Sequence, residues 1–305
     1  MIQPATSERG RPAASAPLSP SFVPFELRAS DGVTLAARHH PAATASPRGA
    51  VLLVSAMGVG QGYYAPLADW LAAEGFHVVG FDYRGMGESR HGSLRDVDAD
   101  VVTWAEKDTS AALRALQERA PGLPVTWIGH SLGGQIVPFV PDLGAVAKVI
   151  TIAAGSGYWR ENSAPLRRKV WIFWWGAVPL ATPLFGYFPG SKLGMVGDLP
   201  RGVIEQWRRW CLDPEYAVGV GGEPTRALFA SVTAPMTSLS FTDDEMMSAE
   251  STRSLHGFYT GTQVRMVRIS PAEAGVARIG HFGFFRRAMR DELWVPYLRP
   301  ELAER

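Results

Sequence analysis

Apolar and polar positions alternate along the 305-residue chain in two rhythms. Residues 25–29 and 33–39 flank Asp31-Gly32, a favoured two-residue turn, and predict an antiparallel hairpin. Residues 50–54 read Ala-Val-Leu-Leu-Val, the uninterrupted apolar run of a strand covered on both faces. Further strands are predicted at 77–81, 125–128, 148–153, 236–241 and 264–269. Helical spacing lies between them. Residues 64–75 carry Leu67 and Leu71 on one face and end at Gly75, while 100–119 carry Val101, Trp104, Ala105, Ala112 and Leu116. Helices are also predicted directly after residue 131, at 248–257 and at 283–297. Strands alternating with helices predict an α/β fold: a mostly parallel eight-stranded sheet with helices on both faces.

This rhythm stops after Gly155 and resumes near residue 235. The stretch between holds Trp159, Trp171, Trp174, Trp175, Trp207 and Trp210, six of the ten tryptophans. No strand is predicted there. The division that follows is a core of residues 22–155 and 235–305 with an inserted, Trp-rich helical cap at 156–234. Residues 1–21 are Ala/Ser/Pro-rich without periodicity and are expected to be a disordered tail. Residues 170–188 lack any charge and approach the length of a bilayer span. Gly176, Pro179, Pro183 and Gly186 interrupt them, and the tryptophans gather at one end. The segment therefore reads as an apolar lid or a peripheral membrane contact rather than a span, and membrane contact is not expected of the chain as a whole.

Composition narrows the classes. The apolar fraction is 46% and the charged fraction 19%, which suits a globular protein. A net charge of +1 gives no field calling for nucleic acid. Cys211 is the sole cysteine, so no internal disulfide forms, and a reducing compartment is the default. With no apolar secretory run in the first residues, a cytoplasmic location is expected. Neither a cofactor nor a metal is implied, and oligomeric state is not legible.

The chemistry concentrates at 125–134, Val-Thr-Trp-Ile-Gly-His-Ser-Leu-Gly-Gly. A strand running into Gly129-x-Ser131-x-Gly133 and then a helix is a nucleophile elbow, whose tight turn lifts the serine hydroxyl above the sheet. A serine nucleophile needs a base, and the base needs an orienting acid. On elbows of this kind the acid and then the histidine follow the serine along the chain. Of seven histidines, only His256 and His281 lie well beyond Ser131. His256 falls in a predicted helix, whereas His281 sits in the loop between the last strand and the last helix, so His281 is the candidate base. His130 reads as a supporting residue. The acid is expected after strand 236–241, in Thr242-Asp243-Asp244-Glu245. Asp244 is the choice and Asp243 the alternative, because adjacent side chains point apart. The unused one is expected to cap the next helix or to be solvated. The oxyanion requires two backbone N–H groups, for which Leu132 and Met57 are the candidates.

With elbow, acid loop and histidine in this order, the chain resembles the α/β-hydrolase superfamily. Phe81-Asp82-Tyr83-Arg84-Gly85-Met86-Gly87-Glu88-Ser89 is similar to the D-x-R-G-x-G-x-S segment of its lipase, esterase and serine-aminopeptidase-like branch. The resemblance covers roughly residues 25–298, the cap being more variable in the superfamily. More narrowly, residues 186–190, 198–202, 207–211 and 279–285 resemble a group of uncharacterised bacterial α/β hydrolases. One departure is Ser55-Ala56, where many relatives carry His-Gly; the hole uses backbone donors, so it survives the change.

The expected function is a cofactor-free serine hydrolase cleaving a carboxylic ester, thioester or amide through an acyl-enzyme on Ser131. Its substrate is expected to be a small apolar ester or acyl compound suited to the tryptophan-rich cap. Three rivals stand beside it. One is an acyltransferase with the same triad. Another is an aminopeptidase-like enzyme, which would need an acidic group in the cap, with Glu161 or Glu205 as candidates. The third is a non-catalytic binding protein on the same fold.

Overall fold

A computed structural model describes residues 22–302, and ten strands lie among the described residues; the tail expected at 1–21 lies outside them. In chain order the strands are β1 Val23–Arg28, β2 Thr34–His40, β3 Gly49–Val54, β4 Phe76–Phe81, β5 Val125–His130, β6 Val146–Ile152, β7 Tyr187–Pro189, β8 Asp198–Pro200, β9 Met236–Phe241 and β10 Val264–Ile269. Eight of them form one sheet in the order β1-β2-β4-β3-β5-β6-β9-β10. β1–β2 and β2–β4 pair antiparallel and every other pair is parallel. The central strands β3, β5 and β9 are buried at every residue; β3 is an unbroken apolar run, while β5 and β9 also bury Thr126, His130, Thr237, Ser238 and Ser240. β10, at an edge, exposes Arg265, Met266 and Arg268.

Each face of the sheet packs its own core. Val51 and Leu53 of β3 join Trp70, Ile128, Ile150 and Trp294 on one side. Leu52 and Val54, with the opposite pleat, join Trp104, Trp127 and Leu116 on the other. Residues 156–234 lie between β6 and β9 and add Trp174, Phe188 and Trp210 to this second core. Several tryptophans of the segment thus serve packing.

The local differences from expectation have physical reasons. β7 and β8 form a short antiparallel hairpin where no strand was expected. Each is three residues long and ends in proline (Pro189 or Pro200), too short to display a period of two. The helix after the elbow is one turn, Leu132–Gln135, followed by a 3₁₀ turn that contains Pro138. The helix at 100–119 carries wide π turns over Trp104–Thr109. There Asp108 is fully buried and its carboxylate accepts both the Arg84 backbone N–H, at 2.9 Å, and Nε, at 2.8 Å. Arg84 also reaches Asp31 at 2.7 Å. The closing helix is likewise π-wound, over Arg290–Leu298, around Pro296.

The Asp82–Ser89 segment is a clamp at the end of β4. Asp82 accepts the N–H groups of Gln61, at 2.7 Å, and Glu88, at 2.9 Å, and a Cβ at Gly87 would overlap its carboxylate. Ser89 Oγ donates to the Asp82 carbonyl at 2.7 Å and accepts from Ala36 N–H at 2.8 Å. Among the described residues no helix is long and apolar enough to cross a membrane.

Candidate active site

The carboxyl ends of β3, β5, β6, β9 and β10 lie along one rim of the sheet, where α/β folds place their ligands. β5 ends there in Ser131, whose backbone is held at φ 50° and ψ −112°. For a residue with a Cβ this conformation costs about 1–3 kcal/mol, and the surrounding structure must impose it. The imposition is visible. Ser131 N–H donates to the Ile152 carbonyl of β6 at 3.0 Å. A Cβ on Gly129 would overlap the Gly133 carbonyl, and one on Gly133 would overlap the Val54 carbonyl of β3. Strand and helix pass at backbone contact, so both positions require glycine. The same closeness sets the loop after β3, with Ser55, Ala56 and Met57, against the first turn of the Leu132 helix. The leading amides of a helix have no partner within it, which makes Leu132 N–H a donor at the rim.

His281 comes from the loop after β10. Its Nδ1 lies 2.9 Å from Asp244 Oδ2 and 3.1 Å from Oδ1, and both side chains are buried. Asp244 Oδ1 also accepts the N–H groups of Met246, at 2.7 Å, and Met247, at 2.9 Å. These two amides fix the carboxylate before it meets the imidazole. The structure therefore puts Asp244, not Asp243, against His281.

Asp243 has a use that differs from expectation. It neither caps the next helix nor sits in solvent. Its Oδ2 accepts Ile279 N–H at 2.9 Å, while Ser248 caps the helix Ala249–Gly257. Glu245, which sequence reasoning passed over, accepts His281 N–H at 3.1 Å. Three consecutive acids thus hold three points of the histidine loop. The only sequence signal was the run of three carboxylates itself.

His130 supports the site from inside the elbow. Its Nε2 lies 3.0 Å from the His281 carbonyl, which can only accept, so Nε2 carries the proton. Nδ1 then accepts from Tyr64 O–H at 2.9 Å, and the Tyr64 oxygen accepts Ala56 N–H at 2.9 Å. Burial, with His281 adding to it, holds His130 well below 6.5, in keeping with a neutral ring. A hydrogen-bonded chain therefore joins the loop after β3, the elbow and the histidine loop. Tyr64 was also missed, because His130 lies 66 residues further along the chain. Among the described residues Ser131 Oγ makes no hydrogen bond to His281, whose ring instead packs 5.0 Å from that of His130. Catalytic hydrogen bonds of this type often tighten only when substrate binds.

His256, the other downstream histidine, lies inside the helix Ala249–Gly257. Nδ1 donates to the Thr252 carbonyl at 2.7 Å, and Nε2 accepts from the Thr151 hydroxyl at 2.8 Å. Burial pushes its pKa from 6.5 down to about 4. The unfolded chain then binds the extra proton first, so stability is lost as pH falls through 6.5 and the loss levels off near 4. The denaturation midpoint is expected to drop between neutral pH and about pH 4, and to drop less steeply in His256→Gln.

A cavity of about 400 Å³ opens beside the rim, walled by Leu166, Phe173, Trp174, Trp207, Met246 and Met247. Met246 and Met247 are the residues whose amides hold Asp244. Val196, also in the wall, approaches Gly58, next to Met57. Neither acid considered for binding an amine lines it. Glu161 accepts from Ser254 Oγ at 2.9 Å, and Glu205 pairs with Arg201 at 2.8 Å. Among the described residues no group of histidine, cysteine and acidic side chains could hold a metal ion.

The fold agrees with what the chain is similar to. The family model described as serine aminopeptidase, S33, matches residues 45–176. A carboxyl esterase from Bacillus coagulans, solved with glycerol, superposes with a TM-score of 0.59 at 16% identity, covering 92% of this chain and 99% of that one. An esterase from Pyrococcus furiosus gives 0.58 at 14% identity, covering 95% and 96%. A lipase-esterase related protein from Clostridium acetobutylicum gives 0.54 at 15%, covering 88% and 99%. No curated protein matches the chain. The family model spans fewer than half of the residues, and the likeness to these structures shows that the chain has the α/β-hydrolase fold.

Proposed function

We propose that the chain is a serine hydrolase that cleaves a carboxylic ester with an apolar acyl or alkoxy group. The observation that carries this reading is the buried Asp244–His281 pair beside a serine held at φ 50°. Asp244 keeps the imidazole proton on Nδ1, which leaves the Nε2 lone pair to take the proton of Ser131. Ser131 Oγ then bonds to the substrate carbonyl carbon. The oxygen that becomes negative is held by the N–H groups of Leu132 and Met57. His281 passes its proton to the departing alcohol, and the acyl-enzyme remains. Water attacks it, His281 takes the water's proton, and Ser131 leaves with that proton as the acid is released.

The wall of Leu, Phe, Trp and Met side chains supports an apolar substrate, and the absence of a carboxylate among its lining residues disfavours an amine-binding peptidase site. A panel of p-nitrophenyl esters from acetate to palmitate tests the reading. Each added methylene that enters the cavity is expected to raise kcat/KM by about three- to fourfold until the space is filled. No turnover of any ester, with turnover of aminoacyl arylamides, would show a peptidase instead.

A further inference from the structure

The helical run from Val170 to Phe185 is apolar on both sides. Val170, Trp174, Val178 and Thr182, spaced by four, face the protein and are buried. The opposite side exposes Trp171 (52%), Ile172 (51%), Trp175 (49%), Leu180 (74%) and Leu184 (76%). No charged residue lies in 170–188, and the polar Thr182 faces inward. A helix facing water normally carries polar residues on its outer side, and one that is apolar all round belongs in a core or in lipid. A contiguous apolar face of this kind marks an interaction surface.

The charges around it select the partner. From 162 to 197 the chain has no acidic residue, and its charged residues are Arg167, Arg168, Lys169 and Lys192. The first three directly precede the helix. Lys192 lies beyond its other end, with Nζ 5.5 Å from the Phe185 ring. Among the described residues none of these four forms an ion pair. Two copies of the chain meeting through this face would bring like charges together at both ends. An anionic lipid headgroup layer would neutralise them while the apolar face enters the acyl boundary, and tryptophan prefers that depth.

We propose that the 170–185 helix seats the protein on an anionic lipid bilayer. The run lies in the plane of the surface and does not cross it. Ile172 is both exposed on this face and part of the cavity wall, as is Lys169 at the basic end. The cavity therefore opens where the bilayer would lie. On the esterase reading above, which this second step requires, the substrate is an ester drawn from the lipid phase.

The full chain is mixed with sedimentable vesicles of phosphatidylcholine alone, or with about one-third phosphatidylglycerol. The protein is expected to pellet with the anionic vesicles at least about tenfold better than with the neutral ones. Leu180→Ser/Leu184→Ser, at positions outside the cavity wall, is expected to lose most of the binding to both compositions. Arg167→Gln/Arg168→Gln/Lys169→Gln is expected to lose the anionic preference alone. In Trp171→Phe/Trp175→Phe, which stays apolar, binding should persist while fluorescence quenching by brominated lipid falls. Ser131→Ala should bind as the wild type does, so docking and catalysis fail separately. Wild-type protein that stays in the supernatant with both vesicles would overturn the proposal. So would a dimer in solution, read by sedimentation, that the Leu180/Leu184 variant dissociates, since the face would then join two copies.

Discussion

Ester turnover is expected to fall by roughly 10⁵- to 10⁶-fold when Ser131 is replaced by alanine, with the fold unchanged. The substitution removes one oxygen and keeps the Cβ, so the backbone strain at φ 50° is the same in both proteins. Alanine already occupies a positive φ of this size in the chain: Ala153 has φ 51°. The bond from the residue 131 amide to the Ile152 carbonyl does not involve the side chain. Thermal unfolding should therefore be nearly superimposable, which separates loss of a nucleophile from loss of structure. Steady-state kinetics on a p-nitrophenyl ester give the readout, and activity within tenfold of wild type would remove Ser131 from the chemistry.

Asp244→Asn is expected to lower kcat by about 10⁴-fold through the imidazole tautomer. The asparagine oxygen would stay on the Met246 and Met247 amides, because turning the side chain over would set its NH₂ against two N–H donors. The NH₂ then faces His281 Nδ1, which must accept. The ring proton moves to Nε2, the atom that has to take the proton of Ser131. Asp243→Asn makes an informative pair. Its carbonyl oxygen can still accept Ile279 N–H, so only a modest loss is expected. Kinetics of both variants decide the matter: a larger loss at 243 than at 244 would reverse the assignment.

Much of the fold was legible because burial leaves a mark on sequence. β3 is covered on both faces and reads as an unbroken apolar run, and β5 and β9, equally covered, keep enough apolar and β-branched residues to read as strands. Strand order was not legible, since nothing in residues 76–81 states that β4 inserts between β2 and β3. The β7–β8 hairpin was missed because three-residue strands ending in proline carry no period. The elbow stood out because its backbone approaches admit only glycine at 129 and 133. Two adjacent aspartates, by contrast, carry the same chemistry in sequence. What distinguishes them is the set of amides that each one meets, and that depends on how the loop closes. The contacts of Tyr64 with His130, and of Glu245 with His281, join residues remote in the chain, and no local pattern announces them. The tryptophans of residues 156–234 divide only in three dimensions. Trp174 and Trp210 are buried, whereas Trp171 and Trp175 stand outside.

The central claim is that Ser131 acts as a nucleophile activated by His281. Labelling with a fluorophosphonate, followed by peptide mass spectrometry, tests it most directly. The account predicts one phosphonate adduct on the peptide containing Ser131, no adduct in Ser131→Ala, and labelling slowed by several orders of magnitude in His281→Ala. Absence of labelling in the folded wild type, or equal labelling of Ser131→Ala, would contradict it.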